Sequence, residues 1–326
     1  MATYKEIKGT QIEVLASDPS NPVEGQVWYN STSNVLKGQA VTVAGAWATG
    51  GNLNTARSYS GGCGATKDAA LCMGAGPPPA PTASGITESY NGTSWTEVND
   101  MNTGKNFNTG AGTYTSAITS GGDQFSGVAE SWNGTNWTSI TNEPNGSNSY
   151  GSSGADNTNA LFFGGVPATN VTRYWNGSSW TVLNAMNGNK KDLTGAGKTY
   201  TAALAFGGLA GPPGPASITL TESFNGTNWT EVNDLNNGRR FAAANGTQTS
   251  ALIYGGDTGN KTEEWNGTNW TETTNYPFSV IGNIGAGADN TNALGFGGGN
   301  PSSPTYNTTV SWTGAGAPDT RTFTDS

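Results

Sequence analysis

Apolar and polar residues alternate along most of this chain in short bursts of strand length, and the bursts repeat. Five stretches carry a nearly fixed phrase: Tyr90-Asn-Gly-Thr-Ser-Trp95, Trp132-Asn-Gly-Thr-Asn-Trp137, Trp175-Asn-Gly-Ser-Ser-Trp180, Phe224-Asn-Gly-Thr-Asn-Trp229 and Trp265-Asn-Gly-Thr-Asn-Trp270. An apolar run ending in small residues precedes each, at 117–122, 160–165, 203–208 and 251–256, with 70–74 as a looser copy. A sixth run at 293–298 precedes a degenerate phrase, Ser311-Trp312-Thr313-Gly314. The Asn-Gly pair tolerates the positive φ of a tight two-residue turn, so each phrase predicts a hairpin. Strands such as Thr87-Glu-Ser-Tyr90 lead into it, and alternating half-buried strands such as Trp95-Thr-Glu-Val98 lead out. An inner hairpin turns at Asp156-Asn-Thr-Asn159 and Asp289-Asn-Thr-Asn292. Its first strand is almost all small residues (Thr194-Gly-Ala-Gly197), which suits a crowded axis where repeated units converge.

Each unit therefore reads as four short strands. The closing tryptophans Trp95, Trp137, Trp180, Trp229 and Trp270 lie 42, 43, 49 and 41 residues apart, a period that points to propeller blades. The order is a small-residue strand, an apolar strand ending in Gly-Gly, an aromatic strand, a Trp strand, then Asn-Leu-Asn and a basic residue. That order resembles the kelch repeat. A longer period lies over the short one, because 154–161 recurs at 287–294 and 87–102 at 221–236, offsets of 133 to 135 residues. Three blades duplicated make six. The sixth unit lacks its own Trp strand, and the segment 41–49, which contains Trp47, is expected to supply it and close the ring. The expectation is an all-β fold: a six-bladed kelch-like β-propeller over 41–326, behind an N-terminal arm over 1–40.

Composition narrows the function. Net charge is −9, which disfavours nucleic acid as a partner. No apolar stretch has the length of a membrane span. The start, Met-Ala-Thr-Tyr-Lys-Glu-Ile-Lys, lacks the apolar core of a signal peptide, so synthesis without export is expected. Histidine is absent, which removes His-based acid–base catalysis, nucleophilic triads and imidazole metal ligands. The branch of kelch-like enzymes that binds copper through histidine is excluded on the same ground. No catalytic residue, metal ligand or cofactor is therefore assigned, and Asp123 and Asp257 read as loop residues. Cys63 and Cys72 are placed opposite each other across the first inner hairpin, as two buried thiols or a cross-strand disulfide.

The first forty residues differ. Residues 5–15 pattern as a lone strand, and 22–38 as a hairpin centred on 30–34. The segment Gly25-Gln-Val-Trp-Tyr-Asn30 resembles one found near the N-termini of virion proteins of tailed phages. The phrase Thr87-Glu-Ser-Tyr-Asn-Gly-Thr-Ser-Trp-Thr-Glu-Val-Asn-Asp-Met-Asn102 resembles kelch-like repeats of marine and cyanobacterial phage structural proteins. These resemblances imply a virion protein held to the particle, and to copies of itself, through an arm presenting Ile12, Val14, Val27, Trp28 and Tyr29. The implied task is recognition of a host-surface glycan or protein. The alternative is a purely architectural tail, neck or capsid decoration.

Loop lengths indicate the recognising face. Connections between second and third strands vary in length, and blade-to-blade connections share their side. Together they bring Arg57, Lys105, Lys190, Lys191, Arg239 and Arg240 near the channel mouth, with Phe125 and Tyr306 in the loops. Six of the chain's fourteen cations clustered there suit an anionic ligand such as an acidic glycan. The competing expectation pairs them with carboxylates of the blades.

Overall fold

Small residues govern how the strands of this chain meet. The computed structural model describes residues 12–20, 22–23, 25–41, 44–76, 83–122, 127–144, 146–148, 150–211, 216–300, 305–316 and 318–323. Among them there is no helix, and the strands form seven four-stranded sheets and one two-stranded pair. The chain divides into two compact units, Trp47–Trp312, and Met1–Ala46 with Thr313–Ser326.

The larger unit is propeller-like. Sheet I comprises Gly61–Thr66, Ala69–Met73, Thr87–Tyr90 and Trp95–Val98, and sheet II Asn108–Gly112, Ala117–Gly121, Ala129–Trp132 and Trp137–Ile140. Sheet III is built from Gly151–Asp156, Asn159–Phe163, Thr172–Trp175 and Trp180–Leu183. Sheet IV takes Thr194–Thr199, Ala202–Phe206, Thr221–Phe224 and Trp229–Val232. Sheet V takes Ala243–Gly246, Ala251–Tyr254, Thr262–Trp265 and Trp270–Glu272. Sheet VI joins Ile284–Asp289, Asn292–Phe296 and Thr309–Thr313 to Ala46–Thr49 from the front of the chain. The first strand of each sheet packs on that of the next, and Ile284–Asp289 packs on Gly61–Thr66. Glycine makes this approach feasible: a Cβ on Gly285 would stand 2.6 Å from the Ala244 carbonyl oxygen of the neighbouring sheet.

The outer tryptophans tie neighbouring sheets together. The Nε1 groups of Trp95, Trp137, Trp229 and Trp270 donate to the hydroxyls of Thr309, Thr87, Thr172 and Thr221, each on the preceding sheet, at 2.8 to 3.1 Å. Sheet II has Ala129 at that position, and Trp180 donates instead to the Thr141 carbonyl at 2.7 Å. Trp47 does likewise with Thr274 at 3.1 Å. The Asn-Gly phrases do form tight hairpin turns, with Gly92-Thr93 at the tip and not the Asn-Gly pair, since Asn91 N donates to Ser94 O at 3.3 Å. Asn91 Oδ1 accepts from the amides of Thr93 and Ser94, at 3.0 and 2.9 Å, while Gly92 takes φ +92°. The side chain of asparagine thus closes the loop from inside.

Two expectations are corrected by register. A β-bulge between Cys63 and Thr66 pairs Cys63 with Leu71 and Gly62 with Cys72. The cysteines are diagonal neighbours facing opposite sides of the sheet, both free and buried. The closing strand is Ala46–Thr49, shorter than 41–49, because Val35–Val41 pairs elsewhere.

That pairing builds the smaller unit. Glu13–Leu15 runs parallel to Val27–Asn30, which pairs antiparallel with Val35–Val41, which pairs in turn with Pro318–Phe323. The unit expected to be an arm over 1–40 therefore includes the other end of the chain. Trp28 is its core, fully buried, so it is not a contact residue. Its Nε1 donates to Asp18 Oδ1 at 3.0 Å, which also accepts from Asn30 at 2.7 Å. The Lys37 ammonium and these donors hold the Asp18 carboxyl down at about 2. Ile12, Val27 and Tyr29 are half-buried, and Val14 is exposed.

Burial pushes the Cys63 thiol up to about 12 and the Cys72 thiol up to about 11. Neither should react with iodoacetamide at pH 8 in the folded protein, and both should be carboxymethylated after denaturation. Modification of a native thiol at the rate of a free one, followed by mass spectrometry, would contradict this burial.

Candidate functional site

Four of the six connections into a sheet carry a basic residue at one position, and the structure takes all four into the interior. Arg57, Lys105, Lys190 and Arg239 are 0%, 2%, 3% and 1% exposed. They pair with Glu88, Glu130, Glu222 and Glu263, each the second residue of a third strand and itself fully buried or nearly so. The same carboxylates hold the connecting chain. Glu88 Oε2 accepts from the amide and side chain of Asn54 at 2.8 and 2.9 Å, and Glu130 and Glu263 do the same for Asn102 and Asn236. Burial lowers the basicity of Lys105, Lys190 and Arg239, and the adjoining carboxylates of Glu130 and Glu263 oppose that shift for Lys105 and Arg239. These four residues are buried structural partners of blade carboxylates, so the competing expectation holds for them and the expectation of a basic subsite is corrected.

Sheets III and VI show that the position, not the sign, is what the fold requires. In sheet III the strand residue is Arg173, and its Nε lies 2.8 Å from Glu143 Oε1. Ser120 and Tyr150 donate to the other oxygen at 2.6 and 2.8 Å. In sheet VI the corresponding residues are Val280 and Val310, which are buried in one apolar cluster. A hydrophobic pair thus does in one sheet what an ion pair does in five.

The remaining expected residues fare differently. Tyr306 is half-buried, edge-on to Phe278 with ring centroids 5.3 Å apart. Phe125 lies outside the described residues. Lys191 and Arg240 stay half-exposed on the loop side. Arg240 is held by Asp257 at 3.1 Å and stands 3.9 Å from Asp192.

Two residues beyond the basic position lies a set the sequence reading missed. Tyr59, Phe107, Asp192 and Phe241 all adopt left-handed φ, between 52° and 57°, and Gly282 follows at 64°. Their backbones form a belt: Phe107 N donates to Tyr59 O, Tyr59 N to Gly282 O, Gly282 N to Phe241 O, and Phe241 N to Asp192 O, at 2.8 to 3.1 Å. The side chains cluster inside it. Tyr59 and Phe107 have centroids 4.6 Å apart, Phe241 meets Tyr59 edge-on at 5.3 Å, and the Arg240 guanidinium lies 5.4 Å from the Phe241 ring centre. They line a cavity of about 90 Å³. The signal was present as the third residue of Arg57-Ser-Tyr59, Lys105-Asn-Phe107, Lys190-Lys-Asp192 and Arg239-Arg-Phe241.

Beyond that mouth is a larger axial cavity of about 170 Å³, lined by the first strands of all six sheets. Its walls are mostly glycine, alanine, serine and threonine, with Asn245, Asn283 and one ammonium as larger polar groups. Lys198 reaches from sheet IV to donate to Gly287 O of sheet VI at 2.6 Å and Gly64 O of sheet I at 3.4 Å. Among the described residues no three Cys, Asp or Glu side chains converge to hold a metal ion.

Burial raises Asp192 to about 6, the Asp257 charge adding to the rise and Lys191 and Arg240 opposing it. Burial likewise raises the Tyr59 phenol, with Asp192 adding to the rise and Arg240 opposing it.

Comparison with known proteins shows the fold alone. The chain is similar to the solved structure of YjhT, with a TM-score of 0.62 and 11% identity over 79% of this chain and 95% of that one. No protein-family model matches the chain, and no curated protein does.

The ion pairs and Asp192 generate opposite expectations. Glu263→Gln leaves Arg239 buried beside a neutral amide and should destabilise the protein by about 3 kcal/mol or more in urea unfolding. Because the pair is sheltered, the loss should be nearly the same at low and high salt; strong salt dependence would put these charges back at the surface. Asp192 has the reverse sign. Its folded-state acidity is weaker than in the unfolded chain, so its ionisation costs stability as pH rises from about 4 through about 6. Asp192→Asn should raise the melting temperature at pH 7 and flatten its dependence across that window. A melting temperature lowered at pH 7 would show that the carboxylate stabilises the fold.

Proposed function

We propose that the chain is a virion protein of a tailed phage: a six-bladed kelch-like propeller that presents its loop-bearing face to the host surface. The blade count is supported by the circle of first strands, each on the next, and by the tryptophans that link sheet VI to sheet I as they link the others. The phage reading is supported by the Gly25–Asn30 segment and by the Thr87–Asn102 phrase.

The observation that carries a binding role is the belt at the axial mouth. Glycine satisfies its backbone at Gly282, yet three other positions hold aromatic rings and one a carboxylate. Side chains retained at such positions, around a cavity, fit recognition better than packing. The anionic ligand suggested by charge alone loses its support, because four of the six cations are spent inside the protein. The smaller unit supplies the attachment. It exposes Val14 and Phe323, 68% and 50% accessible, as apolar points for another virion protein or a second copy. An architectural role without a host ligand is the second reading, and these same exposed residues favour it.

Fluorescently labelled full-length protein should bind host cells, and deletion of residues 1–34 should abolish incorporation into particles while leaving the main thermal transition in place. Normal incorporation of the truncated chain would remove the attachment role. Incorporation without any host-cell binding would leave only the architectural reading.

A further inference from the structure

The cavity inside the belt has a defined chemistry. One wall is continuous and apolar, made by the faces and edges of Tyr59, Phe107 and Phe241. Its polar groups include two buried acceptors, beside the hydroxyls of Tyr59 and Ser60. Asp192 offers a carboxylate that is almost fully buried, with the Arg240 guanidinium 3.9 Å away and the Lys191 and Asp257 charges acting on it from further off. Asn283 is also buried and lines both this cavity and the axial one. Its Nδ2 donates to Tyr254 O at 3.4 Å, which leaves Oδ1 as a buried acceptor without a donor among the described residues. Such a group costs stability until something donates to it.

A ligand for this site must therefore present an apolar face and hydrogen-bond donors together. An anion would set its charge against the Asp192 carboxylate and its oxygens against Asn283 Oδ1. A cation would suit the rings and carboxylate, but Arg240 already stands over Phe241 and beside Asp192 and fills that role from within. A pyranose ring has one C–H face and hydroxyls around its rim, and matches both requirements. We propose that the cavity at the axial mouth binds one neutral sugar ring, its C–H face on Tyr59, Phe107 and Phe241 and its hydroxyls donating to Asp192 and Asn283. The proposal rests on the reading of this face as the recognising one.

Saturation-transfer NMR on the full chain tests it, with methyl glucoside, methyl galactoside, methyl mannoside and methyl N-acetylglucosaminide as neutral probes, and glucuronate and choline as charged ones. At least one neutral glycoside should receive saturation. Asp192→Asn should weaken that binding by about tenfold, the loss of one charged hydrogen bond, without lowering the melting temperature. Tyr59→Leu should weaken it as well. Binding of choline or glucuronate alone, of no probe, or of a glycoside indifferent to both substitutions would overturn the proposal. Host-cell attachment of the same proteins separates the two readings. Attachment without glycoside binding removes the sugar site and keeps the recognising face; glycoside binding without attachment does the reverse.

Discussion

Everything in the larger unit depends on closing a circle of strands at short range. Six first strands converge, and only small residues let them do so; a Cβ on Gly62 would stand 2.1 Å from a side-chain carbon of Ile284 on the next sheet. The backbone enters the crowd through left-handed residues, and the amides of Tyr59, Phe107, Phe241 and Gly282 each donate to the carbonyl of a neighbour in the belt, so polar groups at the mouth are used to tie it. The tryptophans repeat the same logic at larger radius, each donating to the sheet before it. Inner belt and outer ring are two concentric sets of inter-sheet bonds. Sheet VI depends on both, because its fourth strand comes from the front of the chain.

Between those rings sit the buried charges. An ion pair inside a protein contributes little net stability and is costly to break, so its value lies in position. Each carboxylate gathers the asparagine amide and the basic residue of one connection, which fixes where that connection crosses the sheet. The inverted pair in sheet III and the valines of sheet VI, the third sheets of the two halves, show two other solutions to the same problem.

Local signals were the legible ones. The Asn-Gly-Thr phrases, the alternating Trp strands and the glycine-rich first strands each declare themselves within a few residues. The cysteines were misplaced because one bulged residue shifts the register, and nothing in Gly64-Ala65-Thr66 marks the bulge. The basic residues stayed open between a ligand and blade carboxylates because their partners lie 24 to 32 residues away, as from Arg239 to Glu263 and from Lys190 to Glu222. The aromatic mouth went unseen because Tyr59, Phe107 and Phe241 look like ordinary strand residues until their left-handed φ is known.

Lys198 shows where the recurrence at 133 residues must break. With the 133-residue offset, its counterpart in the first half is Ala65. Most duplicated positions can keep the same residue, since each copy stands in its own place around the ring. A side chain long enough to reach the axis stands where the copies coincide, and two ammonium groups would compete for one volume and repel. With alanine at 65, the space at the axis is left to the single ammonium of Lys198. Two equivalent positions that point to one axis cannot both carry a long cation.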